Sequence, residues 1–251
     1  MPLEYLPLLF FLIALFYSSV GFGGGSSYLA ILSLVMTDFY EIRSTALILN
    51  ICVVSISTLV FARNGVLKPR ILWPFFVLSI PLAYLGAQVK LSQETFFIIL
   101  GFALLLAGIF MCLRFWKSAQ ISTEFTNLKK AILGGGIGLL SGISGIGGGI
   151  FLSPVLNLMR WKDARVIASL ASVFILVNSI AGLVGLHMAD TFKLDTDLLL
   201  KLIIAVVLGG LIGSYLSSKK FNLRLLGILT AVLVFYVGLR LIFKFGLDLS
   251  I

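Results

Sequence analysis

Two glycine runs carry the residues whose type and spacing could do chemistry: Gly21-Phe22-Gly23-Gly24-Gly25, followed by Ser26-Ser27, and Gly145-Ile146-Gly147-Gly148-Gly149. Glycine lacks a Cβ, so such a run can take positive φ and bring the backbone close to a ligand. Each run opens onto a short apolar stretch that reads as a helix. The first turn of a helix leaves N–H groups without acceptors and carries a partial positive charge. Two such ends facing one another would hold a small anion on the N–H groups after Gly25 and Gly149, with no buried Lys or Arg. Each end contributes about 0.3–1 kcal/mol, and up to about 2 kcal/mol when sheltered. An anion held this way remains releasable. The plain alternative is close helix packing, a frequent use of glycine in membrane helices. The recurrence of the run, each time before a half-length helix, favours the binding use. The candidate substrate-binding set is Gly23, Gly24, Gly25, Ser26, Asn50, Gly147, Gly148, Gly149, Ser172 and Asn178.

The elements that must position these residues follow from composition. Of 251 residues, 60% are hydrophobic and 12% charged, and the mean hydropathy is +1.14. A soluble domain is about half apolar and about a quarter charged. A chain this poor in charge cannot cover a water-facing surface, which excludes a soluble enzyme. The net charge of +9 does not point to nucleic acid, because the basic residues lie scattered between apolar runs. The reading is an all-α, polytopic protein of the cell membrane, with the lipid bilayer as its surroundings and about eight to ten spans of about 20 residues each. Nothing in it opposes a homo-oligomer. The start Met1-Pro2-Leu3-Glu4 has no Lys or Arg before the first apolar run, so residues 3–20 read as a retained membrane segment rather than a leader.

The apolar segments fall in two sets of five. The first set covers about 3–20, 26–36, 44–62, 71–89 and 95–115; the second covers about 131–143, 150–159, 166–187, 198–217 and 222–243. This is an internal repeat with a period of about 125 residues, giving a first membrane repeat 1–116, a cytoplasmic linker 117–130 and a second repeat 131–251. GFGGG at 21–25 matches GIGGG at 145–149, and LGA at 85–87 matches IGS at 212–214. Arg43 aligns with Arg165, Ala46 with Ala168 and Asn50 with Ser172 when a two-residue gap is allowed.

Lys and Arg favour cytoplasmic loops. Arg63, Lys68 and Arg70 share one loop; Arg114, Lys117, Lys129 and Lys130 another; Lys219, Lys220 and Arg224 a third. The loop with Asp190, Asp195 and Asp197 is acidic. Placing the first three inside and the fourth outside puts both termini outside and inverts the second half relative to the first, an arrangement common among secondary transporters. The second segment of each half has only about ten residues, or about 15 Å, half a bilayer. The glycine runs therefore belong to re-entrant or broken hairpins whose turns meet near the middle of the protein, where irregular backbone is tolerated only inside protein or beside a watery cavity.

Other chemistries fit less well. Gly142-Ile143-Ser144-Gly145 spells the GxSG of intramembrane serine proteases, with His187 as a base. That pair must lie within hydrogen-bond reach, whereas His187 falls at the outer end of its segment and Ser144 follows a segment that starts inside. One histidine, and Cys52 and Cys112 within apolar runs, give no metal cluster, no disulfide and no cofactor site. All ten acidic residues fall at segment ends or in loops, so coupling through a buried carboxylate is not expected. A cell-negative potential alone expels an anion with about 2.3 kcal/mol per charge per 100 mV. Arg43 and Arg165 start the third segments at opposite faces and read as vestibule residues for an anion or as snorkelling anchors. Ser and Thr within the segments read mainly as bonded to their own backbone.

GFGGGSSYLAIL at 21–32 and GISGIGGGIFLSPVLNLM at 142–159 resemble the paired glycine motifs of the sulfite exporter TauE/SafE family. The resemblance runs over essentially the whole chain. It is closer in the second motif, where Pro154 follows the glycines as the family pattern has it; the first carries Ala30 there. What the resemblance implies is transport, often export, of sulfite, sulfonates and related small organic anions. The expected function is thus an alternating-access exporter of such an anion, with an anion channel as the alternative and the serine protease as a remote one.

Overall fold

The computed structural model describes residues 3–19, 21–116, 125–159, 161–216 and 223–247. A short 3-10 turn, Leu3–Tyr5, leads into ten helices: α1 Leu6–Ser19, α2 Gly25–Val35, α3 Phe39–Arg63, α4 Pro69–Gln88, α5 Gln93–Trp116, α6 Asn127–Ser144, α7 Gly149–Leu158, α8 Ala164–Met188, α9 Thr196–Leu216 and α10 Leu223–Gly246. No strand occurs among the described residues. Five helices there are long and apolar enough to cross a bilayer: α3, α4, α5, α8 and α9. The helices flanking the glycine runs are shorter. α2 has 11 residues and α7 has 10, which is about 15–17 Å.

The helix boundaries follow local chemistry. Asp38 caps α3, its carboxylate accepting from the Tyr40 amide at 3.0 Å. The cap starts α3 at Phe39, ahead of the expected 44, and so draws Glu41 and Arg43 into the helix. Thr126 caps α6 by accepting from the Lys129 amide, so the end of the expected linker 117–130 is helical. Lys117, Lys219 and Lys220 lie outside the described residues, as does the side chain of Arg224; so does the side chain of Cys112. Cys52 is a free thiol.

Packing repeats between the two sets of five. α4 packs on α6 as α9 packs on α1; α4 on α8 as α9 on α3; α2 on α3 as α7 on α8; α5 on α7 as α10 on α2. The pairs α3–α8 and α5–α10 map onto themselves. α3 and α8 run antiparallel: Leu47 meets Gly182 near one end, while Phe61 and Ala168 flank Gly21 near the other. In lipid, helices gain little from apolar burial against each other, so close approach through small residues carries the association. On α6, Gly134, Gly138 and Gly142 lie against the backbone of Phe75, Ser79 and Ala83 on α4. Gly209 and Gly213 of α9 lie against Phe11 and Leu15 of α1. The LGA and IGS motifs find their reason here: Gly86 touches the Leu139 carbonyl and Gly213 that of Leu15.

Candidate functional site

The two glycine turns adopt one backbone design. Gly24 and Gly148 stand immediately before α2 and α7 at φ of +85° and +83°, a left-handed conformation that costs an L residue about 1–2 kcal/mol. Neither helix start receives a side-chain cap. The leading N–H groups therefore have no helical acceptor. Helical bonding begins at Tyr28, which donates to Gly24 O at 2.9 Å, and at Phe151 and Leu152, which both donate to Gly148 O at 3.1 Å. Both turns are buried from Gly23 to Ser27 and from Gly145 to Gly149.

Asn50 joins the two turns. It lies near the middle of α3 and is 0% exposed. Its amide fills the space that a Cβ on Gly23 or Gly25 would need. Its Nδ2 donates to the Ile146 carbonyl of the other turn at 3.1 Å and stands 3.0 Å from where a Gly147 Cβ would be. Its Oδ1 is buried without a partner. The missing side chains thus admit a polar group between two uncapped helix starts.

In the second turn an apolar side chain takes the corresponding place. Ile175 of α8 occupies what a Cβ on Gly147 or Gly149 would need, with Ser179 beside it. α3 and α8 each run for 25 residues behind Asp38 and Asp163. That register pairs Asn50 with Ile175, Val54 with Ser179 and Arg43 with Ala168. The expected pairing of Arg43 with Arg165, and of Asn50 with Ser172, is offset from it by one helical turn.

The other sequence candidates divide clearly. Ser26 is buried at the start of α2. Ser172 is buried, but its hydroxyl donates to the Ser169 carbonyl of its own helix at 2.9 Å. Asn178 Nδ2 likewise donates to Phe174 O at 2.8 Å, leaving Oδ1 unpartnered. Arg165 is exposed at the start of α8. Arg43 is 0% exposed, with its stem against Gly145, so it occupies the interior rather than a vestibule. Ser144 donates to Leu140 O at 2.6 Å in its own helix, and His187 is exposed with its ring edge-on to Phe192. The geometry does not bring that pair together. Among the described residues there is no cluster of three His, Cys, Asp or Glu that could hold a metal.

Three hydroxyl-bearing residues outside the expected binding set stand beside the turns. Tyr28 OH lies 2.9 Å from the Cβ position of Gly24 and Ser141 Cβ 3.3 Å from that of Gly148. Ser179 Oγ lies 3.1 Å from that of Gly147. All three hydroxyls are buried and unpartnered. Ser179 belongs to the segment hydroxyls expected to bond their own backbone, which it does not; Ser141 lies in a hydroxyl-rich run, and Tyr28 carries no signal of its own in the sequence.

At one face, three connections are tied together. Lys193 Nζ pairs with Asp38 at 2.8 Å, Lys193 N–H donates to Ser44 Oγ at 3.3 Å, and Gln93 Nε2 donates to Thr37 O at 3.1 Å. Burial raises the Asp38 carboxyl, but the bonds from Lys193 and the Tyr40 amide outweigh it and hold the group below its usual range. The same pair raises Lys193.

Comparison with known proteins gives one consistent result. The family model described as "Sulfite exporter TauE/SafE" matches residues 6–241. A Sinorhizobium fredii protein named "Probable membrane transporter protein y4hK" is 35% identical over 243 residues, covering 94% of this chain and 97% of the relative. A Haemophilus influenzae protein named "Probable membrane transporter protein" is 26% identical over 227 residues, covering 85% of this chain and 82% of the relative. No solved structure matches.

Proposed function

The chain belongs to the sulfite exporter TauE/SafE family, and from that premise we propose that this multi-pass membrane protein exports a small sulfur-containing or organic anion, such as sulfite or a sulfonate, by alternating access. The observation that carries the reading is the placement of Asn50 between two glycine turns, each opening an uncapped helix. N–H groups after Gly25 and Gly149 would hold the anion, with Ser26 and Asn50 beside them. The hydroxyls of Tyr28, Ser141 and Ser179 are within reach of the same turns. Ser172 and Asn178 belong to the site only if their helix-bonded groups turn toward it during transport.

The halves 1–116 and 131–251, joined by the 117–130 linker, are read as inverted repeats that rock against each other. The antiparallel α3–α8 pair and the exchange-symmetric packing support this, and inverted repeats with a midplane site suit alternating access. The face tied by Lys193 and Asp38 is read as outside, on the same side as both termini. Burial of both turns favours a carrier over a channel, because an open pore would leave its lining wet.

The test is flux in proteoliposomes against sulfite, sulfate, thiosulfate, methanesulfonate and acetate. A carrier gives saturable flux of at least one anion, stimulated by the same anion on the opposite side. Large unitary currents would replace the carrier with a channel. Indifference to every anion would remove the assignment.

A further inference from the structure

Resting on that reading, we infer that Arg43 selects the substrate by charge: its guanidinium donates to the anionic head from a nitrogen the protein leaves unpartnered, so that the site has one charged wall and requires a net negative cargo. Arg43 is 0% exposed and lies within α3, where the charge-free anion site expected from sequence has no place for it. A guanidinium does not shed its proton in proteins, and a buried charge demands a partner. Among the described residues Arg43 has no ion pair. Nη2 donates to Gly142 O at 2.9 Å and to Ala87 O at 3.3 Å. These carbonyls belong to the last turns of α6 and α4, whose dipole ends offset part of the charge. The Phe96 ring lies 5.6 Å from the guanidinium carbon. Nε and Nη1 remain buried with no partner.

Architecture alone does not call for this residue. In the matching position of the other half stands Ala168, beside Gly21 as Arg43 is beside Gly145. The α1–α9 packing there mirrors α6–α4. The stem of Arg43 rests 3.3 Å from the Cβ position of Gly145, at the edge of the second glycine turn. N–H donors on a fixed positive plane suit the oxygens of a sulfonate, sulfite or carboxylate. They have little to offer an uncharged isostere.

The experiment compares the binding of methanesulfonate and of dimethyl sulfone to the purified full-length protein in nanodiscs. The wild-type protein should prefer methanesulfonate by about 100-fold, and Arg43→Gln should bring the two affinities within about 5-fold of each other. Arg43→Lys should retain a preference for the anion. A structural role would lower both affinities together, and that result, or an unchanged preference in Arg43→Gln, overturns the inference. So does a wild-type protein that prefers neither probe. Should Arg43→Gln not fold, the wild-type protein labelled with 15N-arginine decides. The Nε–H resonance missing from Arg43→Lys should shift with methanesulfonate and not with dimethyl sulfone, and an unmoved resonance overturns the inference. Loss of binding in Gly148→Val, with charge preference intact in Arg43→Gln, would reject Arg43 while sparing the glycine-turn site; anion flux indifferent to the glycine turns would reject the site itself.

Discussion

The first glycine turn and the second share a backbone and differ in their walls. Both place a left-handed glycine before a short uncapped helix. The first packs on Asn50 and Val54, the second on Ile175 and Ser179, and only the second has an arginine at its edge. The duplicated part is conformational, because helix N–H groups can be presented only by such a turn. The chemical part is placed once, since Asn50 serves both turns through its bond to Ile146 O. On the proposed reading, the symmetric geometry serves movement and the asymmetric side chains serve recognition.

The largest effects should come from breaking either turn. Gly24→Val and Gly148→Val each place a β-branched residue at positive φ against close neighbours. Each should reduce anion flux by about 100-fold or more, the scale of a misplaced binding group, while circular dichroism and membrane insertion stay unchanged. Loss of activity in only one variant would break the equivalence of the turns.

Next comes the wall. Asn50→Leu should reduce flux about 10-fold or more, whereas Ile175→Val should stay within about 3-fold. The effect of Asn50→Leu on stability should be small, because an interhelical hydrogen bond in a membrane protein averages about 0.6 kcal/mol. Equal losses in the two variants would mean that both turns contribute the same chemistry. Ser172→Ala is expected to be near neutral in flux, since that hydroxyl bonds its own helix.

Glycines outside the turns sharpen the contrast. A Cβ on Gly138 would collide with the Ser79 backbone, while Gly136 has open space around it. Gly138→Ala should lower thermal stability by an amount typical of overpacking, about 1–3 kcal/mol. Gly136→Ala should be neutral or stabilising by up to about 1 kcal/mol. Unfolding followed in detergent distinguishes them.

The smallest effect concerns Asp38 and Lys193. The folded carboxyl of Asp38 is held below its usual range, so its contribution is complete at neutral pH and disappears as pH falls through that lowered value. The pair is largely exposed and screened. Asp38→Asn, which retains a capping side chain, should remove the acid-side part of the stability profile and leave the neutral part nearly unchanged.

The glycine turns were legible because their signal is local: a motif followed by an apolar run too short to cross a bilayer, found as α2 and α7. The other helices also emerged near their expected boundaries from hydropathy alone. The register between α3 and α8 did not. Their arginines align in sequence, but the helices start behind Asp38 and Asp163, and counting from those two aspartates separates the arginines by a turn. Arg43 looked like an end residue because hydropathy dates the helix from 44; the Asp38 cap moves it a turn inward. Ser179 reaches the second turn through the packing of α8, for which one sequence carries no pattern, whereas Tyr28 folds back on Gly24 from the first turn of α2 itself.

The most direct measurement is anomalous diffraction from crystals soaked with the selenium analogue of whichever oxyanion the protein transports. The account predicts one saturable selenium site between the turns, within about 4 Å of the N–H groups following Gly25 or Gly149 and beside Asn50, the reach of a hydrogen-bonded oxyanion. A saturable site remote from both turns, with neither turn occupied, would contradict it.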